Sequence, residues 1–103
     1  MDYRETTMWK NSLGNDEYGH KDERERLINA FERAHENAKF VLSKISNDFP
    51  NLTVHDITHV DGLWQVASII VGDNYQLIPL EGFVLGCAFL CMMLCYHTRQ
   101  LEE

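Results

Sequence analysis

Residues 54–71, with the sequence VHDITHVDGLWQVASIIV, place two histidines and two aspartates directly before an apolar helical pattern. His55 and His59 are four residues apart, and Asp56 and His59 are three apart, so either pair would share one face of a helix. The apolar positions recur every three or four residues, which predicts a buried face below these polar groups. Those positions are Val60, Leu63, Trp64, Ala67, Ile70 and Val71. We therefore interpret the stretch as a helix whose first turn carries, or once carried, metal-binding or acid/base chemistry.

The boundaries of this helix are marked by capping signals. Thr53 and Thr58 each have an aspartate three residues later, the arrangement of a capping box, so the helix is expected to start near one of them. Gly72 is expected to end it. Gly62 lies inside it and costs about 1 kcal/mol relative to alanine. A glycine there would allow a close approach by another helix.

A long helix is predicted before this stretch, over residues 22–47. Asp22 is suited to the N-cap, and Pro50 prevents continuation beyond the turn that follows. His35 has charged neighbours and is interpreted as a residue on the solvated face. The apolar stripe consists of Leu27, Ile28, Phe31, Ala34, Ala38, Val41, Leu42 and Ile45.

A third helix is predicted over residues 77–96, with Pro79 and Glu81 in its first turn. Its segment Phe83–Tyr96 is apolar on every side. A membrane span is one interpretation, but an uninterrupted apolar run of 14 residues is more typical of a buried core helix. No strand alternation or internal repeat is visible in the sequence. The predicted fold is therefore all-α, with three helices and the last one central.

Length and composition limit the remaining choices. The 103 residues predict one domain, with residues 1–20 as a loose, flexible leader and residues 21–103 as the helical part. Within the leader, Tyr3, Met8 and Trp9 are the side chains expected to dock if any do. The net charge of −7 argues against binding nucleic acid or anionic lipid. The N-terminus lacks the apolar core of a signal peptide, and three cysteines near one end indicate reduced thiols, so a cytoplasmic location is expected.

Two metal sites can be written from spacing alone, and neither is favoured. The sequence from His55 to His59 has the two histidines of a zinc metalloprotease helix, but its acid is aspartate and a third ligand is absent at a familiar spacing. Cys87, Cys91 and Cys95, with His97, could also be grouped. Their regular spacing spreads the thiols over two helical turns, about 12 Å, which one tetrahedral ion cannot easily span. Buried thiols are the favoured interpretation.

A resemblance explains the polar cluster better. The pattern T-x-H-D-x-x-H-x-x-x-L-W, followed after a turn by P-L-E-G-F-V-L-G-x-A-F-L, resembles the start of an HD-superfamily metal-dependent phosphohydrolase domain. The most similar variant is the bacterial one found ahead of a GHKL-type ATPase domain. The resemblance covers residues 51–90. It implies that His59 corresponds to the first metal-binding histidine, and that His55 and Asp56 correspond to the polar residues before it.

The chain departs from the family pattern where the chemistry should be. After Phe89-Leu90 the family continues Leu-His-Asp-Ala, whereas this chain has Cys-Met-Met-Leu at positions 91–94. The codons TTG CAT GAT GCT encode the family version, and loss of the first base leaves TGC ATG ATG CT, which encodes Cys-Met-Met-Leu. We infer as a hypothesis that residues 91–103 are an out-of-frame tail and that the domain is truncated before its His-Asp doublet.

The sequence therefore predicts a catalytically inactive fragment of an HD-family phosphohydrolase-like domain, arranged as a partial HD-like bundle. It predicts no catalytic residue and a vestigial metal site of His59, Asp56 and His55. The family uses a divalent metal, and a single histidine with a nearby aspartate should not hold one tightly. The alternative is a small helical interaction module that self-associates or docks on a larger partner through its apolar third helix.

Overall fold

A computed structural model gives the fold of residues 2–48, 57–72 and 75–102, with side chains described through Cys95. Regular structure in these ranges is entirely helical, which confirms the all-α prediction. A 3-10 helix covers Tyr3–Glu5 and is followed by four α-helices. These are α1 (Thr7–Lys10), α2 (Lys21–Asp48), α3 (Ile57–Val71) and α4 (Pro79–Glu102).

The end of α3 and the start of α4 follow the local sequence signals, whereas α2 begins at Lys21, so Asp22 lies in its first turn and is not the predicted N-cap. Gly72, with φ of 81°, follows the last residue of α3 in the left-handed conformation that glycine adopts without steric cost. Pro79 opens α4, and the Ile78 backbone N–H donates to the Glu81 carboxylate at 2.9 Å. The predicted roles of Gly72 and Pro79 are therefore confirmed. Helix α3 begins at Ile57, next to Thr58, one of its two predicted starts. The second predicted start, Thr53, lies outside the described residues.

The three long helices meet around two aromatic rings. Phe31 of α2 and Trp64 of α3 are both fully buried, and their ring centroids lie 5.7 Å apart in an edge-to-face arrangement. Gly86 of α4 lies against both rings, since a Cβ atom there would come within 2.6 Å of each. The close helix approach therefore occurs at Gly86. The expectation that Gly62 serves this purpose is wrong, because a Cβ atom at Gly62 would meet no atom within 4 Å.

The N-terminal segment is the main difference from the sequence expectation. Residues 1–20 were expected to be a loose leader, but the structure packs their apolar side chains into the common core: Tyr3, Met8, Trp9 and Leu13 are all buried. The Met8 backbone N–H donates to Ser68 Oγ at 2.9 Å, which ties α1 to α3. These residues fall on three short turns with no shared period, so the pattern that reveals a long helix was absent.

Residues further along the same segment are also fixed to α2. Arg24 is buried, with 9% of its surface exposed. Its Nη1 donates to the Leu13 carbonyl at 3.2 Å, and its Nη2 lies 3.3 Å from the Asp16 carboxylate. A buried guanidinium needs such acceptors, because an unpaired charge at this depth would be costly. The N-terminal segment thus forms a fourth layer that closes one side of the bundle.

Helix α4 is buried on one side and exposed on the other. Leu90 and Met93 are buried in the core, whereas Val84 and Met92 are 59% and 58% exposed. The expectation of a central core helix therefore holds for the inner face of α4, which packs in the core, while its outer face remains exposed. Within the ranges that the structure describes, none of the helices has the length and apolar content needed to cross a membrane.

Candidate functional site

The residues predicted as a vestigial metal site are only partly described. His59 lies in the first turn of α3 with an exposed side chain, while His55 and Asp56 lie outside the described residues. Among the side chains that the structure describes, no three His, Cys, Asp or Glu groups are close enough to hold a metal ion. The metal-site prediction therefore stays a prediction.

The structure instead brings together two residues that the sequence did not connect. His35 Nε2 on α2 lies 2.7 Å from Asp61 Oδ1 on α3, and the two side chains are only 12% and 11% exposed. The His35 ring also packs on the ring of Tyr3, with centroids 4.6 Å apart. The interpretation of His35 as a solvated residue is therefore wrong. Its position beside a carboxylate makes it the most chemically distinctive side chain of the described structure.

Helical spacing explains why these two side chains meet. His35 lies between Phe31 and Ala38 on the buried stripe of α2, four residues after the first and three before the second. Asp61 occupies the same kind of position on α3, four residues after Ile57 and three before Trp64. A titratable side chain thus interrupts each buried stripe, and a buried polar group requires a partner. That coincidence of two interrupted stripes was the available sequence signal for the pair.

The pair lines an open cleft of 860 Å³ between α2, α3 and the N-terminal segment. Its floor includes Leu42 and Ile57, and its rim includes Lys39, Ser43 and Thr58. The cleft thus combines an apolar floor with convergent polar groups, which is the general composition of ligand sites. A histidine oriented by a carboxylate can accept or donate a proton at its other ring nitrogen, and here it also joins α2 to α3.

Tyr3 forms the inner wall of this cleft. Its hydroxyl is buried without a hydrogen-bond partner in the described residues, and the Arg4 guanidinium carbon lies 5.2 Å from the ring centroid. Burial raises the pKa of the Tyr3 phenol, and the nearby Arg4 opposes part of that shift. The phenol is therefore neutral at physiological pH and available as a hydrogen-bond donor.

The two positions where the resemblance implies a His-Asp doublet, 92 and 93, lie on α4. Helix α4 follows α3 along the chain, and Phe89 packs against Trp64 with ring centroids 5.7 Å apart. Four residues after Phe89, Met93 is buried, whereas its neighbour Met92 is exposed. Thioethers are soft donors and do not replace the imidazole and carboxylate that hard divalent cations prefer.

The cysteines differ from the predicted buried thiols. Cys87 is partly buried, whereas Cys91 and Cys95 are exposed, so the buried-thiol interpretation is wrong for the last two. Burial, together with the neighbouring Cys91, raises the pKa of the Cys87 thiol. The His97 side chain lies outside the described side chains. Cys91 and Cys95 therefore stand as accessible thiols on the outer face of α4.

Comparison with known proteins gives one regional match. The HD-CE family model matches residues 49–92, which include α3 and the first half of α4 and amount to less than half of the chain. No curated protein and no solved structure matches the chain. The match includes His55, Asp56, His59 and Asp61 but excludes the N-terminal segment and α2. Residues 49–92 are therefore an HD-like region, similar to the HD-CE family.

Proposed function

We propose that this chain is a catalytically inactive, HD-like helical fragment whose metal-binding doublet has been replaced. The observation that carries this proposal is the pair Met92-Met93 on α4, at the two positions where the resemblance implies a His-Asp doublet. In the family, the doublet helps hold a divalent metal that activates water against a phosphate ester. Methionine supplies neither the charge nor the hard ligand atoms for that role.

The extent of the family match supports the origin proposed for this replacement. The match ends at Met92, two residues after Leu90, where the family pattern and the chain diverge. An out-of-frame tail over residues 91–103 accounts for a similarity that stops at this point. Sequencing the gene and translating the other frame after codon 90 tests the idea. Absence of a His-Asp doublet and further HD-like sequence in that frame would refute it. The resemblance also predicts that a GHKL-type ATPase domain is encoded after the HD-like region in that frame.

A restoration experiment tests the loss of the metal site. The double variant Met92→His/Met93→Asp returns both side chains implied by the family, and Met92→Gln/Met93→Asn introduces similar polarity without the ligands. We expect isothermal titration with Mn²⁺ or Ni²⁺ to detect tighter binding in the first variant alone. Circular dichroism of both variants controls for the polar residue placed at the buried position 93. Equal binding by the unmodified chain and the restored variant would contradict the proposal.

The second candidate function is that of a helical interaction module. It is favoured by large aliphatic side chains that remain exposed on α3 and α4, namely Val66, Ile69, Ile70, Leu80, Val84 and Met92. Ile69 and Ile70 are 71% and 79% exposed, and Asp61 is the only Asp, Glu, Lys or Arg of α3. Contiguous exposed apolar surface usually marks a protein interaction site. Metal titration distinguishes the two candidates, because tight binding abolished by His59→Ala would favour a surviving metal site.

A further inference from the structure

The outer face of α4 carries exposed residues at the spacing of a helix-pairing surface. Val84, Ala88, Cys91 and Cys95 are all exposed and follow one another at intervals of four, three and four residues. This alternation repeats every seven residues on average, which is the periodicity of side chains that pack between two paired helices. Leu80 and Met92, also exposed, flank the same face. We define the α4 seam as Val84, Ala88, Cys91 and Cys95.

We propose that the α4 seam binds the α4 seam of a second copy of this chain, with the two helices antiparallel. The inference rests on the second candidate function, the interaction module, and specifies its partner and geometry. The seam is symmetric about the midpoint between positions 89 and 90. A two-fold axis at that midpoint sets Val84 opposite Cys95 of the other copy and Ala88 opposite Cys91 of the other copy. The small side chains at the centre allow close approach of the two helices.

Charge supports a second copy as the occupant of this face. The chain has a net charge of −7, so two copies repel one another wherever acidic groups face each other. The fourteen residues of Phe83–Tyr96 contain no Asp, Glu, Lys or Arg, and the seam therefore offers contact without that repulsion.

The antiparallel register makes a specific prediction for the two exposed thiols. The Cα atoms of Cys91 in the two copies are offset by about 4.5 Å along the helix axis, and those of Cys95 by about 16 Å. Only the first offset is compatible with a disulfide, whose Cα atoms are about 4.4–6.8 Å apart. In a parallel pair, each cysteine would instead lie opposite the same cysteine of the other copy, so Cys91 and Cys95 would be equally close to their partners. The seam is a property of the chain as it stands, whether or not residues 91–103 arose by a frameshift.

Disulfide cross-linking of the full chain tests this geometry. The variant Cys87→Ser/Cys95→Ser keeps only Cys91, and Cys87→Ser/Cys91→Ser keeps only Cys95. Copper(II)–phenanthroline with dissolved oxygen removes two electrons and two protons from each pair of thiols as the sulfur–sulfur bond forms. We expect the Cys91 chain to form covalent dimers roughly tenfold faster than the Cys95 chain. Comparable rates for the two chains would overturn the antiparallel seam.

Sedimentation velocity separates failure of this inference from failure of the interaction module. Ala88→Glu places a charge at the centre of the seam and should raise the dimer dissociation constant by roughly tenfold or more. The matched control is Phe40→Glu, which adds the same charge at an exposed position of α2, away from α4, and should leave the constant unchanged. Dimers that resist Ala88→Glu would overturn the seam while leaving an interaction function in place. An unmodified chain that stays monomeric at every concentration would overturn both.

Discussion

At the residue scale, His35 and Asp61 are two buried polar groups, and each is the hydrogen-bond partner of the other. Asp61→Ala leaves the His35 ring without its carboxylate partner, and we expect the free energy of unfolding to fall by about 1–3 kcal/mol. Asp61→Asn keeps an oxygen acceptor of similar shape and should lose less. Urea denaturation followed by circular dichroism measures both variants. Equal stability of Asp61→Ala and the unmodified chain would show that the pair contributes nothing to folding.

Tyr3 gives a prediction that covers neutral and alkaline pH. Its hydroxyl has no hydrogen-bond partner in the described structure, so Tyr3→Phe should leave stability at pH 7 unchanged or raise it by about 1 kcal/mol. The folded phenol has a raised pKa because it is buried, so its contribution is fully present below the unfolded value of 10.0 and is lost at higher pH. Thermal melts from pH 7 to pH 11 should therefore show a smaller alkaline loss for Tyr3→Phe. An identical alkaline loss in both chains would contradict this assignment.

The two polar residues of the cleft also show what the sequence could and could not reveal. Helical spacing identified Phe31 and Trp64 as core residues, because each belongs to a long apolar stripe. The same spacing includes His35 and Asp61, but a polar residue on a stripe does not specify which other helix supplies its partner. That pairing depends on the relative rotation and register of α2 and α3, which only packing determines.

At the element scale, two glycines of different surroundings provide a matched pair. Gly86→Ala would place a Cβ atom 2.6 Å from the rings of Phe31 and Trp64, so the helices must separate and stability should fall by about 1–3 kcal/mol. Gly62→Ala meets no neighbouring atom within 4 Å and should raise stability by up to about 1 kcal/mol, because alanine favours the helix. Denaturant midpoints of the two variants test the contrast. Similar shifts in the same direction would mean that α4 does not approach α2 and α3 at Gly86.

The N-terminal segment is expected to resist proteolysis because it is part of the core. Trypsin should not remove residues 1–20 before the fold opens, although Lys10 is exposed, since Met8 and Trp9 on α1 are each 5% exposed. Trp9→Ala removes a large buried ring and should destabilise the chain by about 3–5 kcal/mol while exposing this segment to cleavage. Early trimming of the unmodified chain would instead support the mobile leader predicted from sequence.

The sequence predicted α2, α3 and α4 because each repeats its apolar period several times, whereas α1 has a single turn.

At the scale of the whole molecule, the fold is elongated and leaves the outer faces of α3 and α4 uncovered. Its radius of gyration is 14.7 Å, larger than the value of about 13 Å typical of a compact domain of this length. The excess follows from three long helices packed around a narrow aromatic core, with one layer added by the N-terminal segment. The outer faces of α3 and α4 lie beyond the reach of that layer. A larger share of apolar surface therefore remains in contact with water than in a domain whose helices are covered on both sides.

This exposure predicts marginal stability that depends on protein concentration. Each large aliphatic side chain left in water forgoes roughly 1.5–3 kcal/mol of burial, and the net stability of a domain is only about 5–15 kcal/mol. Leu80, Val84 and Met92 of α4 are each more than half exposed, so association that buries them would offset a substantial part of the deficit. Because association favours the folded state by mass action, the melting temperature should rise with protein concentration. Melts at several concentrations, read beside sedimentation velocity on the same samples, measure this directly. A monodisperse monomer with a constant melting temperature would mean that the core around Phe31 and Trp64 suffices without a partner.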